Sequence, residues 1–339
     1  MTTTHTEDSV STAQPASSFR ITFSRAQQKF PILQLLLIVV VLILAFVTLP
    51  GFGSYYSIIS VLVLAALVGI TAIGQTVVVL TGGFDLSVPG FIVLGAVSVS
   101  TIIGQLQLGP LGAVVMMLLV PALLGGAAGW LCHRFQISPI VMTLAMNSIA
   151  LGIAAVATDG SVAASAPDWL RGLSVPVGTT FGLPVPPIIV IWVGIGVLVT
   201  LVLALTPAGR RLYATGANMR AADNALIRTR WVWVAVYAFS AIASMVAGAL
   251  LLGFAGGADL TLGNPYLFLG LAAVIVGGTV AGGPGDYIKT VIGAVLITLV
   301  STVFIGNGFT PADRQILLGV IILVAMLVYG RERSLRDRV

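Results

Sequence analysis

Long stretches without charge decide what this chain can fold into. Residues 31–49 carry no ionisable side chain. At ~1.5 Å rise per residue they make a helix of about 28 Å, close to the ~30 Å hydrocarbon core of a bilayer. Nine comparable stretches follow, at 57–80, 90–108, 111–131, 138–158, 187–205, 231–253, 266–280, 288–306 and 315–329, with Lys289 the one charge inside them. The chain is 58% hydrophobic and 8% charged, against the ~25% charged residues of a soluble domain. A water-soluble fold of 339 residues would lack polar side chains to cover itself. The expectation is an all-α polytopic membrane protein of about ten transmembrane helices. A cleaved signal peptide is the rival reading of the first stretch; the long polar tail before it and the absence of a small-x-small site near Pro50 argue against that.

Ten spans put both termini on one side. If that side is cytoplasmic, fourteen of the 16 Lys and Arg fall inside and only Arg171 and Arg314 outside, as the positive-inside rule requires. The net charge of +5 is therefore a topology signal, and nucleic-acid binding has no support. Residues 1–30 read as a disordered or surface-lying cytoplasmic tail, 31–330 as the transmembrane domain and 331–339 as a basic cytoplasmic tail. Two long connections stand out: 159–186 outside, and 206–230 inside with five arginines. The inner one carries a helix-forming stretch at 219–227, which suits either plain topogenic charge or a docking surface for a partner protein.

Thr81-Gly82-Gly83-Phe84-Asp85-Leu86-Ser87-Val88 is echoed by Ala255-Gly256-Gly257-Ala258-Asp259-Leu260-Thr261-Leu262, each between two apolar spans. The echo is that of an inverted-topology repeat relating spans 2–5 to spans 7–10. Paired glycines break a helix and bare its backbone, which a membrane tolerates only inside protein or beside water. Asp85 and Asp259 have two readings. They orient a gate or translocation path, or they cap the next helix, a role open to Ser87 as well. Asn147, in mid-span, suits helix–helix hydrogen bonding or solute contact.

A third glycine-rich break, Gly277 to Asp286, precedes Lys289-Thr290, but Ile288 stands where a phosphate-binding loop needs glycine, and no strand precedes it. No ATP hydrolysis is expected from this chain. The single Cys132 and two histidines, His5 and His133, offer no metal site.

Gly74-Gln75-Thr76 with Gly82 to Val88, Gly209-Arg210, Gly216-Ala217-Asn218, and Ala272 to Thr279 with Ala281-Gly282-Gly283 resemble the signatures of the permeases of ribose/xylose/arabinose-type ABC importers, along essentially the whole chain after the tail. The resemblance implies a bacterial inner-membrane subunit forming the path for a monosaccharide or related small solute. It implies two cytoplasmic ATPase subunits that carry ATP and Mg, an extracytoplasmic sugar-binding protein, a second permease copy or paralogue, surrounding lipid, and no cofactor in this chain. It makes 206–230 the coupling element, with Gly216, Asn218, Arg220, Ala221, Ala222 and Asp223 against the ATPase. Gly82, Gly83, Asp85, Ser87, Asn147, Asp259 and Tyr266 become candidates for the path or gate. Departures include Phe84 and Pro89 in the signature, Asp223 to Ile227 in the coupling loop, Lys289 before span 9, and Pro265 to Leu271 without the ribose-type acids, which puts ribose itself in doubt. A secondary carrier is the alternative, but it would place ionisable groups along mid-membrane helices, and this chain has almost none there.

Overall fold

The structure, a computed structural model, describes residues 31–160 and 165–336. The expected N-terminal tail and the last three residues of the C-terminal one lie outside it. The regular structure of the described residues is helical, with two isolated β-bridges. In chain order the helices are α1 (Ile32–Thr48), α2 (Tyr55–Leu80), α3 (Val88–Gln105), α4 (Pro110–Phe135), α5 (Pro139–Ala157), α6 (Asp168–Ser174), α7 (Pro187–Leu205), α8 (Pro207–Ala217), α9 (Met219–Asn224), α10 (Thr229–Ala255), α11 (Asn264–Gly277), α12 (Tyr287–Gly306) and α13 (Pro311–Arg336). Each of the ten apolar stretches is a helix. Seven are long and apolar enough to cross a membrane by length and composition: α2, α3, α4, α5, α7, α10 and α12. The helices α1 and α11 are shorter, at 17 and 14 residues.

The starts and stops follow local chemistry. Proline opens α4, α5, α7 and α8, where its missing N–H costs nothing and its φ suits a first turn. Ser54, Thr206 and Asp286 cap α2, α8 and α12 with side-chain oxygens. At α13, Thr310 and Asp313 form a reciprocal capping box. Hydrogen bonding from Thr310, side chain first, holds the exposed Asp313 carboxyl below its ordinary value. The expected span 266–280 ends early, because Gly278 takes φ +98° and stops the helix at Gly277. The 331–336 part of the expected basic tail continues α13 as helix. Within α3, Ser98 to Ile102 form a π-helical turn that the sequence did not announce.

The helices alternate between two ends, and contacts between connections identify them. At one end Asn307 Nδ2 donates to Thr48 Oγ1 (3.0 Å), Gln105 Nε2 to the Ala157 carbonyl (3.2 Å) and the Ala166 amide to the Gly256 carbonyl (3.1 Å). At the other, the Gly282 amide donates to the Val79 carbonyl (2.9 Å), Tyr213 Oη to the Gly285 carbonyl (2.8 Å), and His133 Nε2 meets Thr229 Oγ1 (2.8 Å).

The core is built around α2 and α10, which pack on each other. From Ala65 to Leu80 every residue of α2 is buried, while Leu62 and Leu64 in the preceding turn are partly exposed. Outward faces of α1, α4, α5 and α7 present leucines, isoleucines and valines to the surroundings, as lipid contact requires. Three packing pairs repeat: α10 lies on α4 as α2 lies on α12, α10 on α3 as α2 on α11, and α3 on α5 as α11 on α13, whereas α11 on α12 has no comparable α3–α4 pair. This is the relation the sequence echo proposes between spans 2–5 and 7–10. The starts of α3 and α11 also meet inside the molecule, so closely that a Cβ on Gly263 would stand 2.3 Å from the Pro89 carbonyl oxygen.

Candidate coupling and gating site

The turn between α2 and α3 is made by its sequence. Gly82 takes φ +83°, open to glycine at no steric cost, and ends α2; residues 83–87 then lead to α3 without regular structure. Asp85 is buried, and both oxygens of its carboxylate accept hydrogen bonds. Oδ1 accepts from the Ser87 amide (2.8 Å) and the Ser87 hydroxyl, and Oδ2 from Ser240 Oγ on α10 (2.6 Å). Tyr237 Oη reaches the Phe84 carbonyl at 3.5 Å and would lie 2.5 Å from a Cβ on Gly83. The other free amides of the α3 start are capped from α5: Leu86 N–H by Thr143 Oγ1 (3.0 Å) and Gly90 N–H by Asn147 Oδ1 (2.8 Å). Thr143 and Asn147 stand four residues apart, on one face of α5. A helix that begins inside the protein thus has amides at its start satisfied by the preceding turn and by α5. Ser87, one of the expected caps, donates to Asp85 and its own side chain caps nothing.

The echo at 255–262 has the same local geometry. Gly256 takes φ +78°, and Asp259 Oδ1 accepts from the Thr261 amide and hydroxyl. Here the aspartate is exposed, and among the described residues no second helix donates to it. Tyr266, two residues into α11, is buried in the main core. The path and gate candidates therefore fall into two groups: Gly82, Gly83, Asp85, Ser87 and Asn147 around the turn from α2 into α3, and Asp259 with Tyr266 around the start of α11.

The inner connection 206–230 is two helices where the sequence pointed to one at 219–227. Helix α8 covers Pro207–Ala217, and α9 stops at Asn224, before the turn where Leu226 has φ +61°. Asn218 joins the two and caps α9 through the Ala221 amide (3.0 Å). Arg220 and Ala221 are exposed, and Ala222 is buried. Gly216 is pressed on the end of α2, where an added Cβ would stand 1.9 Å from the Leu80 carbonyl oxygen. Its own carbonyl oxygen would lie 2.8 Å from a Cβ on Gly282, and Gly282 Cα 3.7 Å from one on Gly82. Three glycine motifs far apart in the chain thus converge on one junction. Tyr213 adds a tie from α8 to Gly285, and burial pushes its phenol above the ordinary value, so the hydroxyl stays a donor.

A second tie holds α9. Thr229 Oγ1 donates to Asp223 Oδ1 (2.5 Å) and lies 2.8 Å from His133 Nε2. The hydroxyl has one proton, so the His133 nitrogen is the donor to it. This chain Asp223–Thr229–His133 links α9 to the first residue of α10 and the last turn of α4. Sequence reasoning did not single out Thr143, Ser240, Thr229 or His133 for these roles; the one signal was the i, i+4 spacing of Thr143 and Asn147. Among the described residues no group of three His, Cys, Asp or Glu could hold a metal.

The family described as "Branched-chain amino acid transport system / permease component" matches residues 57–326. The ribose import permease protein of Bacillus subtilis (strain 168) is 31% identical over 324 residues, covering 93% of this chain and 96% of the relative. The galactofuranose transporter permease protein of Escherichia coli (strain K12) is 32% identical, covering 79% and 77%. The fructose import permease protein of Rhizobium meliloti is 29% identical, covering 86% and 83%. No solved structure gives a significant match. With its apolar helices, its broken-helix core and a match running through nearly all of the described residues, the chain belongs to the family of branched-chain amino acid transport system / permease components.

Proposed function

We propose that this chain forms the inner-membrane path of an ATP-driven importer for a monosaccharide, and that α8 and α9 are the part its ATPase moves. The substrate class rests on relatives that import ribose, fructose and galactofuranose. Members of this family are transport components, with ATP hydrolysed on a separate subunit. In this reading all ten apolar helices cross the membrane, the end bearing α8 and α9 is cytoplasmic, a binding protein delivers the solute at the other end, and a second permease completes the path.

The mechanism is carried by the contact of Gly216 with the last turn of α2, directly before the Gly82–Asp85 turn. A push on α9 has two outlets. Through Asp223, Thr229 and His133 it reaches α10 and α4; through Gly216 it reaches α2. Both end on the segment that Asp85, Ser240, Thr143 and Asn147 tie to α3, α5 and α10. Close-packed helices shift as units between discrete arrangements, which is how a small displacement at one end becomes a change of access. Asp85 holds the turn to α10, and both its oxygens already accept hydrogen bonds from the protein. Asp259, Thr261 and Asn264, exposed beside the meeting point of α3 and α11, are the polar groups free to line a path.

Replacing residues 218–226 with a Gly/Ser linker tests this. The expected result is loss of ATPase association or of substrate-stimulated hydrolysis; a linker variant that keeps both overturns the mechanism. Orientation is tested by Gly172→Cys, since residue 172 is exposed in the long connection and an added Cβ meets nothing within 4 Å. Labelling from the extracytoplasmic side is expected, and labelling only from the cytoplasmic side contradicts the orientation.

A further inference from the structure

A groove of about 1230 Å³ opens on the flank of the molecule between α7, the start of α8, the turn after α9 and α10. It is larger than the ~300–1,000 Å³ of ordinary small-molecule pockets. Its walls are apolar, with Leu198, Val202, Val232, Val236 and Phe239 among them, and Val77 at the back. Small residues make the room: Ala208 and Gly209 where the chain turns from α7 into α8, Ala225 after α9, and Ala235 on α10. Two of the lining side chains are charged, Arg211 and Arg228, both basic and both at the α8–α9 end. No carboxylate lines the groove, and the single ion pair recorded among the described residues, Lys289 with Asp286, lies elsewhere.

We infer that this groove is a binding site for an anionic phospholipid, with an acyl chain between α7 and α10 and the phosphate between Arg211 and Arg228. The charge pattern selects this occupant. An apolar slot continuous with lipid-facing helix surfaces is filled by hydrocarbon, and two guanidiniums at its headgroup end, without an ion pair among the described residues, are matched by phosphate. Trp231 lies at the same end with Arg230 over its ring at 5.4 Å, the arrangement of an interfacial anchor. Leu226 supports the depth. It is 91% exposed on the turn beside the groove, a position that suits the headgroup–acyl boundary better than water. The inference requires membrane residence and does not depend on which solute is carried. A lipid seated there would brace α8 and α9 against α10, so occupancy would bear on coupling.

The test uses the full chain purified in detergent and melted with phosphatidylglycerol, phosphatidylcholine or inorganic phosphate, with bound lipid counted by native mass spectrometry. Phosphatidylglycerol is expected to raise the melting temperature and co-purify, and the other two are expected to do neither. In the double variant Arg211→Gln with Arg228→Gln, the lipid concentration giving half the shift is expected to rise about thirtyfold, from ~1 kcal/mol per arginine. Ala235→Phe, which fills the slot without touching charge, is expected to lower lipid occupancy as well. Arg134→Gln, at the same end but outside the groove, is expected to change nothing. An unchanged phosphatidylglycerol shift in both groove variants overturns the inference. So does an equal shift with inorganic phosphate, which would make it a free anion site. A third contrary result is loss of ATPase association with lipid binding intact, which would make the groove a protein-docking surface.

Discussion

The Asp85 turn and the Asp259 turn are written in nearly the same residues and fold into nearly the same local shape, yet only one is locked into the protein. Each has a left-handed glycine three residues before the aspartate and an aspartate oxygen holding the amide and hydroxyl two residues on. Asp85 also takes the Ser240 hydroxyl and is buried, while Asp259 stays at the surface. The helix after the first turn is capped from α5 by Thr143 and Asn147. Local sequence dictates the turn, and surroundings decide its use. The buried copy fastens α10 to the turn, and the exposed copy is left at the surface.

The largest contrast is expected between Asp85→Ala and Asp259→Ala. The first strands the Ser240 hydroxyl and the Ser87 amide in a dry interior, at a cost of about 3 kcal/mol; the second loses one exposed capping interaction, about 0.5 kcal/mol. Thermal melts of the purified chain check both, and equal losses would erase the distinction. Asp85→Asn sharpens it. The amide keeps one acceptor, and Ser240 can reverse its role, so most of the stability is expected to return. Next comes Gly216→Ala, whose methyl meets the Leu80 carbonyl and forces α8 off α2, for about 2 kcal/mol. Asn147→Ala, which leaves the Gly90 amide uncapped, is expected to cost about 1 kcal/mol. Asp259→Ala, nearly silent in melts, is expected to alter transport if its turn lines the path, which uptake assays would show. The smallest effect is at Asp313. Its carboxyl is held low by Thr310, so its contribution is present above the ordinary carboxylate value and lost as pH falls through the lowered one. Asp313→Asn should flatten that acid dependence slightly in pH-resolved melts.

The helices were legible because each apolar stretch is long and bounded, and the echo was legible because turns write themselves locally. What the chain concealed was everything made between segments. Gly216 reads as a helix breaker in a basic loop, and only its seat on Leu80 shows that the glycine permits contact. Thr206-Pro207 is a good helix start, yet Gly209 and Gly216 masked the helix behind it. The partnership of Asp85 with Ser240 spans 155 residues and leaves no periodic trace. Nor could the sequence show which aspartate is buried, since both motifs sit at the edge of equally apolar spans. His133 and Thr229 are 96 residues apart and acquire meaning only when α4 and α10 end side by side.

In the proposed mechanism the ATPase acts on the buried turn through Gly216. It is tested most directly by substrate-stimulated ATP hydrolysis of the reconstituted importer carrying Gly216→Ala, with assembly measured on the same preparation. The complex is expected to assemble, with hydrolysis that no longer responds to the loaded binding protein. An assembled complex with normal stimulation and normal uptake would contradict it.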